Sequence, residues 1–189
     1  MIDTFALLLI DIQKGLDEVD FYGGYRNNPN AENNAAILLN WFREKNKPIF
    51  HIKHSSTNPN SPLHASKEGF SIKEVVKPLP TEPVITKNVN SAFIGTDLQK
   101  HLQKQNIKNL IIAGLTTNHC ISSTVRMAAN LGFEVNVIAD ACAAFDQFGI
   151  ENQRQGAELV HQITLGNLKT EFAQIFTTQE ILQTLNNHF

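Results

Sequence analysis

Continuous apolar runs that alternate with helical patterns constrain the fold of this chain most strongly. The run Phe5–Ile10 is apolar at every position, which is typical of a strand covered on both faces. A second strand-like run, 108–113, passes through a glycine and a polar turn into a helical pattern at 120–131. Strands that alternate with helices favour a parallel sheet with right-handed crossovers. We therefore predict an α/β fold with three α/β/α layers, Rossmann-like, with a mostly parallel sheet of about six strands and helices on both faces.

The rest of the chain fits the same alternation, apart from two long polar segments. The further predicted strands are 48–52, 83–86, 133–139 and 172–177, and the further predicted helices are 31–45, 96–105, 151–163 and 179–186. The segments 13–30 and 54–83 interrupt the pattern, and loops of this length are usually functional or mobile. The chain has 189 residues, 42% of them hydrophobic, and contains no repeat or linker, so we predict a single domain over 1–189.

Charge and cysteine content exclude several classes of function. The net charge of −2 offers no electrostatic basis for binding nucleic acid or an anionic membrane. No apolar run approaches the roughly 20 residues that a membrane span needs, and the N-terminus does not have the pattern of a signal peptide. Two cysteines, Cys120 and Cys142, are too few for a disulfide framework. These features predict a reduced, cytoplasmic protein whose partner is a small molecule.

Three reactive side chains follow three of the predicted strands. Asp11 follows the first, Lys87 follows the third, and Cys120 follows the fourth after one loop. Carboxyl ends of parallel strands meet at one edge of the sheet, so we expect the three to converge. Asp11 could then accept the thiol proton, while Lys87 keeps Asp11 ionised and favours the thiolate. Backbone N–H groups of Thr116 and Cys120 are candidates for an oxyanion hole. This chemistry is attack on a carbonyl carbon through a thioester.

Four segments carry a family resemblance. They are LLLIDIQ at 7–13, PIFHIKHSS at 48–56, KNVNSAFIGTDL at 87–98 and AGLTTNHCISST at 113–124. Together they resemble the isochorismatase-like cysteine hydrolases, the superfamily that holds nicotinamidases, N-carbamoylsarcosine amidase and ureidoacrylate amidases. The resemblance implies a catalytic triad of Asp11, Lys87 and Cys120 and a cis peptide bond between Leu115 and Thr116. It also implies a homo-oligomer, a dimer or larger.

Departures from the family pattern narrow the expected reaction. Nicotinamidases carry a metal-binding Asp-x-His motif, whereas this chain has His51 and His54 in that region and no aspartate. Residues three apart on a strand face opposite sides, so we expect no shared metal ion, and no cofactor. Family members that cleave isochorismate can lack the cysteine, so Cys120 favours C–N bond cleavage. At Asn118 the family more commonly carries an aspartate.

Substrate-binding residues are predicted from the long loops and the strand ends. We expect His54 and Phe93 to line the pocket. Tyr25 and Tyr22 are expected either to close over the substrate or to pack against a neighbouring subunit. We further expect the Cys120 thiol to have a lowered pKa and to react faster than Cys142, whose expected role is packing. Two alternatives stay open: an isochorismatase-type or other non-amide hydrolase, and a Rossmann-like nucleotide-binding module. Against the second, no glycine-rich fingerprint follows the first strand.

Overall fold

The computed structural model describes residues 4–187, which form a parallel sheet between two layers of helices. The strands are β1 (Phe5–Ile10), β2 (Ile49–His54), β3 (Val84–Lys87), β4 (Asn109–Leu115), β5 (Glu134–Ala143), β6 (Gln147–Phe148), β7 (Arg154–Gln155) and β8 (Gln174–Phe176). The helices are α1 (Ala31–Glu44), α2 (Leu98–Lys104), α3 (Ser122–Asn130), α4 (Ala157–Lys169) and α5 (Thr178–Asn186). Within residues 4–187, no helix has the length and apolar character that crossing a bilayer requires.

Six strands form the central sheet in the order β3-β2-β1-β4-β5-β8, and every neighbouring pair is parallel. The predicted fold class is therefore confirmed. Strands β2 and β3 follow β1 on one side of it, and β4, β5 and β8 lie on the other side. The direction in which strands are added therefore reverses beside β1. In open α/β sheets, ligands bind at such a switch point, beyond the carboxyl ends of the strands.

Two apolar cores cover the two faces of the sheet. Alternate residues of β1 divide between them: Phe5, Leu7 and Leu9 belong to one core, and Ala6, Leu8 and Ile10 belong to the other. The first core is closed by α1 and α5, and the second by α2, α3 and α4. Burial on both faces explains why β1 is apolar throughout.

The fourth helix differs from its prediction. The sequence pattern predicts a helix at 151–163, whereas α4 covers Ala157–Lys169, and the preceding residues pair as the short antiparallel hairpin of β6 and β7. The Asp146 carboxylate explains the shift because it accepts hydrogen bonds from the Arg154 side chain and, at 2.7 Å, from the Ala157 backbone N–H. Asp146 therefore fixes the start of α4 at residue 157.

The segment that carries Cys120 also differs. The predicted helix 120–131 is a π-helical turn, Thr117–Ile121, followed by α3 from Ser122. The single-domain prediction for 1–189 stays a prediction, and its first three and last two residues lie outside the described part.

Candidate active site

A buried ammonium organises the candidate site. Lys87 Nζ lies 2.7 Å from Asp11 Oδ2, 3.2 Å from Cys120 Sγ and 3.1 Å from His54 Nδ1. An ammonium has three N–H donors, so these acceptors satisfy it fully. The Lys87 side chain is inaccessible to solvent, and Asp11 is 2% exposed. The structure thus brings the three residues predicted at strand ends into direct contact.

Strand register places His54 beside Lys87. The prediction ended the second strand at residue 52, whereas β2 continues to His54, which pairs directly with Lys87 of β3. Lys87 donates a hydrogen bond to His54 Nδ1, so the histidine accepts there and carries its own proton on Nε2. Desolvation, with the Lys87 charge second, lowers the pKa of His54. His54 is accordingly a neutral side chain of the site.

Close packing between β1 and β4 positions Asp11. The Asp11 backbone is left-handed, with φ of 53°, which turns the chain at the end of β1. Gly114 pairs with Ile10 and has φ of 134°, and a Cβ there would lie 1.9 Å from the Ile10 carbonyl oxygen. Only glycine fits this approach. The pairing register between β4 and β5 shifts between Ile112 and Gly114, and the additional residues lie on β5, between Val137 and Cys142.

The turn around Cys120 is held on both sides. The Leu115–Thr116 peptide bond is cis, as the family resemblance implies. Ile121 N donates to the Thr116 carbonyl at 3.2 Å, which closes the π-helical turn. Thr117 Oγ1 lies 2.8 Å from Nδ1 of the buried His161 on α4. Such π-helical turns are frequent at functional sites, and this one carries the nucleophile candidate.

Gln13 is a supporting residue that the sequence analysis did not single out. Its buried amide donates to the carbonyls of His54 and Phe70, at 3.1 and 2.9 Å, and accepts from the His54 N–H at 2.7 Å. These bonds tie the end of β1 to the end of β2 and to the long loop 54–83. The only signal in the sequence was its place in the LLLIDIQ segment.

The electrostatics correct the prediction for Cys120. Burial, with the neighbouring Asp11 carboxylate second, raises the pKa of the Cys120 thiol, and the opposing effect of Lys87 is smaller. The expected lowered pKa is therefore wrong for the site without a substrate. Burial also raises the pKa of Asp11 against the lowering effect of Lys87. A protonated thiol beside a desolvated carboxylate favours transfer of the proton to that carboxylate as the sulfur attacks. It does not favour a thiolate that is already ionised before the substrate binds.

A metal ion does not fit this cluster. Ligand atoms of Asp11, His54 and Cys120 all lie within 4.8 Å of one another, which is suitable spacing for a cation. Lys87 Nζ, however, already contacts one atom of each, so a cation there would displace the ammonium. His51 does not join them, because its Nε2 lies 2.9 Å from Glu82 Oε2. The two histidines thus have different partners, as their spacing predicts.

A cavity of about 160 Å³ opens beside the thiol. Its lining residues are Asp11, Leu16, Tyr22, His54, Ser56, Ser61, Leu63, Asn90, Leu115, Thr116, His119 and Cys120. It is smaller than the roughly 300–1,000 Å³ of pockets for drug-sized ligands, so it suits a compact substrate.

Only some of the predicted substrate-binding residues belong to the lining of the cavity. His54 lines it, whereas Phe93 stacks on Phe133, at a ring separation of 5.8 Å, and is not part of the lining. Tyr25 is 62% exposed and does not line the cavity either. Tyr22 takes that place, because the 3-10 turn Val19–Tyr22 packs its ring on Phe145. Of the two predicted tyrosines, Tyr22 therefore lines the cavity and Tyr25 does not, and Phe93 is not part of the lining.

Asn118 lies next to the mouth of the cavity. Its Nδ2 is 3.2 Å from Gln147 Oε1 on β6 and 3.3 Å from His119 Nε2. Its Oδ1 is buried and, among the described residues, has no hydrogen-bond partner. Nothing in the structure explains the exchange from the aspartate that the family more commonly has.

Comparisons with known proteins agree with this geometry. The Isochorismatase domain family matches residues 5–180. The chain is 44% identical to the uncharacterized isochorismatase family protein YrdC of Bacillus subtilis over 177 residues, which is 94% of each chain. It is 26% identical to nicotinamidase 3 of Arabidopsis thaliana over 193 residues, covering 95% of this chain and 88% of the other.

A solved structure is similar throughout. A crystal structure of an isochorismatase-family protein from Chromobacterium violaceum superposes with a TM-score of 0.92 at 39% identity, covering 98% of this chain and 94% of the other. The family match spans far more than half of the sequence, and the fold and strand-end residues are consistent with it. This chain therefore belongs to the isochorismatase family of hydrolases.

Proposed function

We propose that this chain is a metal-independent cysteine hydrolase that cleaves the C–N bond of a small amide or ureide. The observation that carries the proposal is the contact of Lys87 Nζ with both Asp11 Oδ2 and Cys120 Sγ beside a compact cavity. The group supplies a nucleophile and a base within 4.8 Å of each other, and a cation within hydrogen-bond reach of both. The relative named nicotinamidase supports an amide as the bond that is cut.

The first half of the proposed reaction acylates the thiol. Asp11 accepts the Cys120 proton as Sγ attacks the carbonyl carbon, and the carbonyl oxygen becomes an oxyanion. The N–H groups of Thr116 and Cys120 receive that charge, which is worth about 3 kcal/mol per donor in similar sites. Asp11 then returns the proton to the departing nitrogen, the C–N bond breaks, and a thioester on Cys120 stays behind.

The second half releases the acid. A water molecule loses a proton to Asp11 and attacks the thioester carbon. The oxyanion collapses, the C–S bond breaks, and Asp11 returns the proton to Sγ. Lys87 donates to both Asp11 and Cys120, so it holds Asp11 in place and balances the negative charge that moves between the two side chains.

Variants at the two cysteines test the proposal. Ammonia release is measured for wild-type protein, Cys120→Ala and the matched control Cys142→Ala against a panel of small amides and ureides. We expect Cys120→Ala to lose at least about a thousandfold in kcat/KM, as removal of a covalent nucleophile does elsewhere, and Cys142→Ala to keep the activity. Full activity in Cys120→Ala would contradict the proposed mechanism.

The two alternatives are tested in the same assay series. Cleavage of isochorismate in place of every amide would indicate the non-amide hydrolase. A rise in unfolding temperature with NAD or ATP, together with no hydrolysis, would indicate the nucleotide-binding module.

Two broader expectations remain proposals. We propose a homo-oligomer with a small molecule as its partner, tested by light scattering of the purified protein. We also propose a cytoplasmic location, tested by fractionation of the source cells. A monomer, or recovery outside the cytoplasm, would contradict them.

A further inference from the structure

The lining of the cavity beside Cys120 determines which charges a substrate can carry. Among residues 4–187, neither a lysine nor an arginine belongs to that lining, so it offers no cationic side chain to an anion. The nearest cation is Lys87, whose three donors already serve Asp11, His54 and Cys120. A carboxylate in a substrate would have to break one of these bonds to pair with it.

The two histidines of the lining do not supply the missing charge. His54 accepts a hydrogen bond from Lys87 at Nδ1, and so it is neutral. His119 lies at the rim with Nδ1 3.3 Å from Thr116 Oγ1, and desolvation lowers its pKa. A histidine with a lowered pKa is uncharged near neutral pH. The two histidines of the lining therefore add no positive charge to that of Lys87, which lies behind Asp11, His54 and Cys120.

The charged side chain of the described lining is a carboxylate. It belongs to Asp11, whose Oδ2 already pairs with Lys87. Burial raises the pKa of the Tyr22 phenol to about 12 against the lowering effect of a Ser61 hydrogen bond, and the Glu18 and Asp11 carboxylates add to the increase. An anion placed beside Tyr22 would meet the same loss of solvation and the same carboxylates.

The remaining wall suits an uncharged group. Leu16, Leu63 and Leu115 are all buried and supply apolar surface. The buried Tyr22 Oη makes no hydrogen bond of normal geometry within residues 4–187, although the Ser61 hydroxyl approaches it, so a neutral hydroxyl, carbonyl or amide of a substrate could bind there. Apolar walls with a few polar groups are typical of sites for neutral small molecules.

Building on the proposed function, we propose that the site selects uncharged, compact amides and ureides and rejects those whose acyl group bears a carboxylate. A carboxylate held here would be desolvated without a partner, beside the Asp11 carboxylate, and burial of an unpaired charge is strongly unfavourable. This selection excludes dianionic substrates as well as short carboxylated ureides.

Two alkylating agents of nearly equal size test the charge selection without any turnover. Iodoacetamide is neutral and iodoacetate is anionic, and each transfers its CH2 group to Sγ with loss of iodide. Their second-order rates at Cys120 are measured by mass spectrometry, and the ratio is divided by the same ratio for N-acetylcysteine amide. We expect a normalised preference for iodoacetamide of at least about tenfold. A ratio of one or less would overturn the inference.

A positive charge added to the lining tests the same inference by mutation. Ser56 is half-buried in the lining, so Ser56→Arg adds a cation to the cavity, and Ser56→Met adds similar length without charge. We expect Ser56→Arg to abolish most of the preference and Ser56→Met to retain it. If both variants lost the preference for iodoacetamide equally, the preference could not be due to charge and the inference would be overturned.

Turnover of a matched substrate pair separates this inference from the proposed function. Butanamide has a terminal methyl group where succinamate has a carboxylate, and kcat/KM is compared for wild-type protein. Preference for butanamide supports the inference, whereas equal or better turnover of succinamate overturns it and leaves the amidase function standing. If the thiol shows charge preference but the amide and ureide panel is not hydrolysed, the proposed function fails and the charge selection of the cavity holds.

Discussion

Replacement of Lys87 by methionine tests the central ion pair of the site. The substitution keeps the length of the side chain and removes an ammonium that donates to three acceptors, at 2.7, 3.1 and 3.2 Å. It leaves the Asp11 carboxylate buried without a countercharge, and its Oδ1 has no partner among the described residues to compensate. Breaking a buried pair in this way costs about 3–5 kcal/mol. We expect a loss of that size in the free energy of unfolding by urea at pH 8.

The pH dependence of Lys87→Met follows from Asp11. Without Lys87, which lowers the pKa of Asp11 in the wild type, desolvation raises that pKa further in the folded state. A folded-state pKa above the unfolded value of about 3.9 means that protonation favours the fold, and this contribution is lost as pH rises. We therefore expect the deficit relative to wild type to be smaller at pH 5 than at pH 8.

Two controls make the result specific. The double variant Asp11→Asn with Lys87→Met removes both charges and should recover most of the lost stability. Lys100→Met removes an exposed ammonium from a surface pair with Asp97, and it should leave unfolding unchanged. The buried ion pair would be refuted if Lys87→Met lowered the free energy of unfolding by less than about 1 kcal/mol and if neither pH nor Asp11→Asn changed that loss.

Further predictions concern packing, the cavity and the thiol. Gly114→Ala should lower the free energy of unfolding by at least about 3 kcal/mol, because its Cβ would clash with β1; Gly24→Ala, where the backbone is also left-handed but the space is open, should cost less. Tyr22→Phe should raise KM for a small amide severalfold, and Tyr25→Phe, which alters an exposed ring, should not. Alkylation of Cys120 by iodoacetamide should still accelerate above pH 9, because the thiol pKa is raised; a plateau below pH 8 would contradict this.

The order of elements could be predicted because it depends on patterns along the chain. Phe5–Ile10 is buried on both faces, so its composition alone marks it as a central strand. In a parallel sheet, the strands that precede Asp11, Lys87 and Cys120 all end at the same edge. The placement of the three side chains at one edge could therefore be predicted from the order of the strands and their parallel direction.

What could not be predicted depends on contacts between distant segments. The shift of α4 comes from the Asp146 side chain, which binds backbone eleven residues further along the chain. The choice between Tyr22 and Tyr25 depends on how a 3-10 turn packs against Phe145. The direction of the Cys120 pKa depends on its burial beside Asp11, which a position before a helix does not reveal.

Trapping the acyl-enzyme tests the central claim most directly. Wild-type protein is mixed with a neutral amide that it hydrolyses, quenched in acid within milliseconds to seconds, and measured by intact-mass and peptide mass spectrometry. The account predicts a mass increase equal to the acyl group, located on Cys120, absent from Cys142 and absent in Cys120→Ala. Rapid hydrolysis with no acyl group on Cys120 at any time, and with undiminished activity in Cys120→Ala, would contradict it.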